Sequence, residues 1–384
     1  MFNGSYVLSQ VFDLLNRFEF DKCVSKHQGN YRVKTFSCWE QFIVMTFAQL
    51  SFRESLRDIE FCLAGMKTKM YHCGIKSTVA RSTLAKANEN RSWKIYEDFG
   101  QSLIKIALPM HKGDNKLSEE LKSIIYAFDS TTIDLCMELF PWAKFRQTKS
   151  AVKVHVLLNI NGSIPEFISI TDGKKQDVNL LDAVAYTSGC FYLVDKAYVD
   201  FKRLYKIELL KAFFVTRAKD NMAYIVKHAQ KVNGQDGIKK DELIELKWHH
   251  GKRKYPIVFR RVEYIDPFTK LELNFLTNHL TIEAIMVARL YKERWNVELF
   301  FKWIKQNLKI KRFYGNTENA VKTQIWIAVC TYLLVAILRK QLKIEASLNQ
   351  ILQILSISLF EKCAIKELFE NEEAKIVSNQ STLF

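Results

Sequence analysis

The sequence predicts an α/β protein, on three observations. Short apolar, β-rich runs alternate with helical runs between Leu117 and Lys219. Residues 1–115 and 316–384 carry helical patterning with little β signal. Thr281 to Arg312 contains neither Gly nor Pro and reads as one long helix, with Thr281 as its N-cap and Glu283 in its first turn. At 384 residues, 48% hydrophobic and 13% aromatic, the chain has room for two or three domains with real cores.

Charge narrows the partners. The 57 Lys and Arg against 41 Asp and Glu leave a net +16, so an anionic partner is expected, and nucleic acid is the commonest large one. No membrane partner is expected: the longest apolar run, Ile325 to Leu338, is interrupted by Thr331 and Tyr332 and is short for a bilayer span. The opening MFNGSYVLSQ has no basic and apolar leader, which points to the cytoplasm. The eight cysteines are scattered singly and read as reduced thiols. Cys62, His72 and Cys73 make a poor zinc set because two of the ligands are adjacent.

In the N-terminal segment (1–115), Ser37-Cys-Trp-Glu40 and Ser51-Phe-Arg-Glu54 match the capping-box pattern ahead of amphipathic runs, and Gly65 is a stop for the second. After Tyr71-His-Cys-Gly74, Ser77 or Thr78 can cap one short helix and Ser82 another. Arg81, Ser82, Thr83, Lys86, Asn88, Asn90 and Arg91 are predicted to be exposed there. Such side chains contact phosphates and base edges, and the short helix, tight turn, second helix rhythm is compatible with a helix-turn-helix; a helical bundle with a polar surface gives the same pattern.

The next segment (116–219) reads strand by strand. SIIYAFDSTTI (123–133), AVKVHVLLNI and IPEFISIT form three strands, the last two joined at Asn161-Gly162. Asp177 is predicted to cap a helix, CFYLVDKAYV is a fourth strand, FKRLYKIELLK a second helix and AFFVTRAK a fifth strand. The order β-β-β-α-β-α-β is that of the ribonuclease H fold, whose first and fourth strands lie side by side. Asp129 and Asp195 end the apolar parts of those two strands, so their carboxylates are expected to emerge together. Residues 220–280 alternate β-like stretches with turn signals at Gly234-Gln-Asp-Gly237, Gly251 and Asp266-Pro267, an inserted β-subdomain. The long helix follows (281–315), then C-terminal helices (316–384) in which SLNQILQILSISLF suits either packing on its own domain or contact with a second protomer.

Adjacent carboxylates repel one another unless a cation or a shared proton compensates them. With a third acid they suit two Mg²⁺ ions, Mn²⁺ substituting, which activate the attacking hydroxyl and stabilise the leaving oxygen of a phosphodiester. On the long helix, Tyr291, Arg294, Glu298, Lys302, Lys305 and Lys309 fall within roughly 80° of one another at about 100° per residue, while Val297, Phe300, Trp303 and Ile304 point the other way. Glu298, the single acid on that face, is the candidate third ligand; an exposed face laced with ion pairs is the alternative. Lys149, Lys153 and His155 on the second strand and Arg217 and Lys219 on the fifth point either to a DNA channel or to solvent.

The spacing of Tyr291, Arg294, Glu298 and Lys305 resembles the YREK signature of bacterial insertion-sequence transposases of the DDE type, the insertion sequence four family. The preceding Asp129-Ser-Thr and Asp195-Lys-Ala-Tyr strands match as well. FSCWEQFIVMTFAQLSFRESLRDIE and YHCGIKSTVARSTLAKANENRSWKIYE look like the N-terminal domain of one branch of that family, and FFVTRAKDN and NFLTNHL look like its core. The resemblance implies that Asp129, Asp195 and Glu298 bind the metals and that Tyr291, Arg294 and Lys305 contact transposon-end phosphates. It also implies a small β-subdomain before the long helix, in which related enzymes stack a flipped base on an aromatic; Trp248 and Phe268 are the candidates, a sheet-packing role being the alternative. Lys196 stands where the family commonly has Arg, which keeps charge but not bidentate contact.

The sequence therefore predicts a DNA transposase that binds the terminal inverted repeats of its element, cleaves the ends and transfers the 3′ ends to target DNA. Arg81, Lys86, Arg91, Lys302 and Arg217 are further candidate DNA contacts, and a homodimer on DNA in the bacterial nucleoid is expected. A ribonuclease H-fold structure-specific nuclease and a non-catalytic or domesticated DNA-binding protein are the rival readings.

Overall fold

The computed structural model describes residues 4–146, 149–232, 235–307 and 313–370. The first helices are α1 (Val7–Asp13), α2 (Arg17–Lys26), α3 (Cys38–Leu50), α4 (Leu56–Gly65), α5 (Lys67–His72), α6 (Arg81–Asn90), α7 (Lys94–Met110) and α8 (Lys116–Glu120). The strand region holds β1 (Ile125–Leu135), β2 (Lys144–Arg146), β3 (Lys149–Asn159), β4 (Ile164–Asp172), β5 (Phe191–Val194), α9 (Phe201–Leu209) and β6 (Phe213–Arg217). There follow β7 (Tyr224–Gln230), β8 (Ile238–Leu246), α10 (His249–Lys254), β9 (Phe259–Ile265), β10 (Glu272–Thr277), α11 (Ala284–Glu293), α12 (Trp295–Asn307), α13 (Glu318–Gln341) and α14 (Leu348–Ser358). The chain divides into two compact units, one of Met1–His111, Ile133–Ser150 and Lys302–Phe384, the other of Lys112–Thr132 and Ala151–Phe301.

The first unit is built on α13, whose residues 320 to 338 are all buried except Lys322, with α3, α6 and α7 against it. At Gly100 an added Cβ would meet the Trp326 ring at 3.2 Å, so glycine sets how closely α7 approaches α13. Phe20, Trp39, Phe42, Tyr96 and Phe99 fill the space beside it in edge and stacked pairs. The apolar run expected to be short for a bilayer thus sits in a helix of 24 residues that is long and apolar enough to cross one, but 94% of its most apolar window is buried in protein. Its uniform apolarity reflects packing on several sides.

The capping box at Ser37 and Glu40 is formed. Ser51 instead ends α3, because Phe52 takes a left-handed φ of 56° and turns the chain; the cap of α4 is Ser55, which accepts from the Asp58 N–H at 3.1 Å. Helix α6 starts at Arg81 with Ala80 as N-cap, so Ser77 and Thr78 precede it and Ser82 lies within it; non-helical residues 73–80 replace the tight turn. Asn88 and Arg91 are not exposed as expected. Asn88 is buried and accepts from Gln41 at 2.8 Å, and Arg91 donates to Gln41 at 3.0 Å and to the Phe36 carbonyl.

The second unit is organised by a mixed sheet in the order β3-β1-β5-β6-β10-β9-β8-β7, with β4 also on β3 and the short β2 pairing the start of β3. β1, β5 and β6 run parallel and β10 antiparallel to β6. The all-apolar FYLV of β5 is fully buried, as a central parallel strand covered on both faces must be. Strands β7 to β10, read as an inserted subdomain, continue this sheet because β6 offers β10 a free edge. At Gly237 the φ of +80°, and a Cβ position 2.3 Å from the Ile265 carbonyl oxygen, require glycine; its expected turn partner Gly234 lies outside the described residues.

Two further expectations are corrected. The helix after Asp177 is a 3₁₀ stretch, Asp177–Ala183, and Asp177 does not cap it because its carboxylate takes Lys153 Nζ at 3.0 and 3.1 Å. The long helix is two helices: α11 starts at Ala284 without a side-chain cap from Thr281, and the chain tightens at Arg294, where i to i−3 bonds (Arg294 N–H to Tyr291, Val297 N–H to Arg294) replace the α pattern. Residues 308–312, with Lys309, lie outside the described residues.

Candidate active site

Two strand ends and one helix turn bring the acids into one neighbourhood of the second unit. Ile125 to Phe128 of β1 pair in register with Phe191 to Val194 of β5, so Asp129 and Asp195 are the next residues along two adjacent parallel strands. The register of β5 with β6 (Leu193 beside Val215) sets Arg217 in the same row, and Phe275 of β10 pairs with Arg217. These are carboxyl ends of parallel strands, where open α/β sheets bind their ligands. Glu298 lies one helical turn after Arg294, in the first turn of α12.

Arg294 ties the acids together. Its Nη1 lies 3.4 Å from Asp129 Oδ2 and its Nη2 donates to Glu298 Oε1 at 2.7 Å. Its Nε is buried with no hydrogen-bond partner among the described residues. Asp129 Oδ1 accepts from the Ser130 N–H at 2.8 Å and has the Tyr198 hydroxyl at 3.4 Å. Asp195 Oδ1 accepts from the Ala197 N–H at 3.0 Å, and the Tyr291 hydroxyl lies 3.4 Å from its Oδ2. The Tyr291 ring packs on Phe275 at 5.0 Å between centroids and carries the Arg294 guanidinium 5.6 Å from its own centroid.

Burial, with Glu298 and Asp195 nearby, pushes the Asp129 carboxyl up to about 6 against the opposing pull of Ser130 and Arg294. Burial pulls Arg294 down, but its hydrogen bond to Glu298 and the surrounding negative charge hold it above its ordinary range. Among the described residues no three His, Cys, Asp or Glu side chains are gathered tightly enough to hold an ion as they stand. Arg294 lies instead between two of the acids as their counter-charge. The donors are all hard carboxylate oxygens, which suit Mg²⁺ or Mn²⁺ over softer metals.

The other predicted residues divide. Lys302 is exposed and Lys305 half-buried on α12. Arg217 is half-buried and, with Lys196, Lys219, Tyr224 and Arg261, lines a cavity of about 370 Å³. Lys219 Nζ donates to the Val199 carbonyl at 2.9 Å, and Lys196 lies 3.6 Å from Asp220. Lys149 is exposed, whereas Lys153 is paired with Asp177. His155 is fully buried beside Thr171 at 3.0 Å, and burial pushes it down to about 4, so it faces no channel. Arg81 and Lys86 are exposed. Trp248 and Phe268 are 65% and 92% exposed, so neither packs on a sheet. Tyr198 was not singled out from sequence as a site residue; its place three residues after Asp195, at the end of a strand, was the available signal.

The family described as "Transposase DDE domain" matches residues 120–334, a span containing Asp129, Asp195 and Glu298, and a "Domain of unknown function (DUF4372)" matches residues 3–76. A putative transposase y4zB of Sinorhizobium fredii is 34% identical over 297 residues, 76% of this chain and 78% of that one. A probable transposase for insertion sequence element IS5377 of Geobacillus stearothermophilus is 29% identical over 227 residues, 58% of each chain. A putative transposase for insertion sequence element IS4SA of Synechocystis is 26% identical over 268 residues, 68% of this chain and 72% of that one. The piggyBac transposase synaptic complex with hairpin DNA aligns over 93% of this chain and 78% of that one at 10% identity and a TM-score of 0.43, too remote to carry an argument. With its matched domain spanning more than half of the chain, this protein belongs to the DDE transposase family.

Proposed function

We propose that the chain is an insertion-sequence transposase with a ribonuclease H-like core and the YREK signature, which binds the inverted repeats of its element, cleaves the ends and joins them to target DNA. The observation that carries the proposal is the side-by-side register of Asp129 and Asp195, with Glu298 linked to Asp129 through Arg294. Asp129, Asp195 and Glu298 would hold two Mg²⁺ ions, Mn²⁺ substituting. When bound, such ions lower the pKa of an attacking hydroxyl and neutralise charge on the leaving oxygen.

The chain's own residues orient the acids and the phosphate. Ser130 and Tyr198 orient one oxygen of Asp129, and the Ala197 N–H and the Tyr291 hydroxyl each engage one oxygen of Asp195, so that the remaining lone pairs would face a cation. With a cation held there, Arg294 would give up one carboxylate, and its Nε, unpartnered among the described residues, would be free to donate to a phosphate oxygen. Arg217 and Lys196, near Asp195 in the second unit, would add cationic contacts to the phosphates, and Lys302 and Lys305 on α12 are further candidate DNA contacts. Residues 1–115, with Arg81 and Lys86 exposed, read the ends, and the working assembly is a homodimer on DNA.

The test uses the DNA flanking this gene, labelled at each end, with purified protein in Mg²⁺ or EDTA. Metal-dependent nicks at one repeated end sequence followed by a joined product are expected. Binding without nicking under any divalent metal would overturn the catalytic reading, and nicking without joining would leave a nuclease.

A further inference from the structure

The domain that matches residues 3–76 has no assigned function, and together with α6 it forms a cavity of about 470 Å³ within the first unit. One wall is the segment 27–36. Gln28 and Arg32 there take left-handed φ values of 52° and 55°, and the bend is pinned by Gly29 N–H to Val24 at 2.9 Å and Cys38 N–H to Asn30 Oδ1 at 2.8 Å. Gly29 lies so close to α7 and α3 that a Cβ would sit 2.4 Å from Ile95 and 2.8 Å from Cys38, which fixes the wall without a ligand. The other wall is one face of α6, where Thr83, Lys86 and Asn90 recur at helical spacing. Arg91, held by Gln41 and the Phe36 carbonyl, closes the end between them.

The lining carries Lys34, Lys86 and Arg91 and, among the described residues, no Asp or Glu. His27 at the edge is already matched by Asp98 at 2.7 Å, a carboxylate outside the lining. Tyr31 stands in the wall at 66% exposure with the Arg32 guanidinium 5.1 Å from its ring centroid, and Thr35, Thr83, Asn90 and Ser92 supply hydroxyls and an amide. A preformed cavity of this size takes one small ligand rather than a double helix, and acid-free cations beside an exposed aromatic suit a phosphate with a base attached.

We infer that this cavity binds one nucleotide of a single-stranded or unpaired DNA segment, with Lys34 and Lys86 at its phosphate and Tyr31 against its base. The inference rests on the DNA-acting reading above and adds a second nucleic-acid contact remote in sequence from the acids. Free nucleotides share the same chemistry, so the experiment separates the two sources.

Fluorescence anisotropy of a labelled 12-nucleotide single strand with the full-length protein, over a salt series, tests it. Lys34→Glu with Lys86→Glu should weaken binding at least 10-fold and flatten the salt slope by about 1.4, two phosphate contacts at roughly 0.7 each. Tyr31→Ala should weaken it roughly 10-fold at unchanged slope. Lys67→Glu with Lys105→Glu, the same charge change at exposed sites of the same unit, should do much less. Wild-type affinity in Tyr31→Ala, or equal losses in the two charge pairs, would overturn the inference. Full competition by millimolar thymidine monophosphate would assign the cavity to free nucleotides and overturn the strand assignment. A protein that shows this variant pattern but never cleaves element ends would contradict the transposase proposal and leave the cavity standing; normal cleavage with unaltered strand binding in all variants would do the reverse.

Discussion

Asp129 is a half-buried carboxylate with two more acids nearby, and its folded-state value of about 6 makes a stability prediction. A carboxyl raised above its unfolded value favours folding only while protonated, so its contribution is lost as pH rises from about 4 through 6. Asp129→Asn should therefore raise the melting temperature at neutral pH by a few degrees, while cleavage falls by roughly 1000-fold; thermal denaturation beside a cleavage assay checks both. His155 carries the opposite sign. Pushed down to about 4, it contributes stability that is present above about 6.5 and fades as pH falls toward 4, on the order of 3 kcal/mol. Urea midpoints across pH 4–7 should be flatter in His155→Leu than in the wild type. At this scale the sequence offered the acids because each ends an apolar run. It did not offer Tyr198 as an orienting group, the inward turn of Arg91 or the burial of His155, since these depend on neighbours from other elements.

The elements most legible in the sequence are those whose own pattern decides them. The IYAF and FYLV runs became adjacent parallel strands, and Ser37 with Glu40 formed its capping box. Where tertiary contacts compete, local signals failed. Asp177 has a cap residue's chemistry but binds Lys153, and the Gly- and Pro-free run from Thr281 still breaks where Arg294 turns onto two carboxylates. Helix α13 shows how uniform apolarity misleads: nothing in its composition separates a core helix from a membrane span, and only its burial decides. Trp326→Ala should destabilise the protein by about 3–5 kcal/mol, read from the denaturant midpoint of the first unit's transition. Gly237→Ala should destabilise as well, because both its φ and the Ile265 carbonyl exclude a side chain.

Across the whole molecule, a net charge of +16 gives any DNA affinity a steep salt dependence. Arg81→Ala and Lys302→Ala should each lower the slope of log affinity against log salt by about 1, measured on duplex element ends, without changing which sequence is preferred. The division of the chain into two units was only partly visible in advance, because each is assembled from segments far apart in sequence. We propose that Asp129, Asp195 and Glu298 act together as one divalent-cation site despite the hold of Arg294 on two of them. Paramagnetic titration with Mn²⁺ of the wild type and of the three single alanine variants tests this most directly. The wild type should bind Mn²⁺, with affinity lower by at least 10-fold in each variant; wild-type affinity in all three would contradict a shared site.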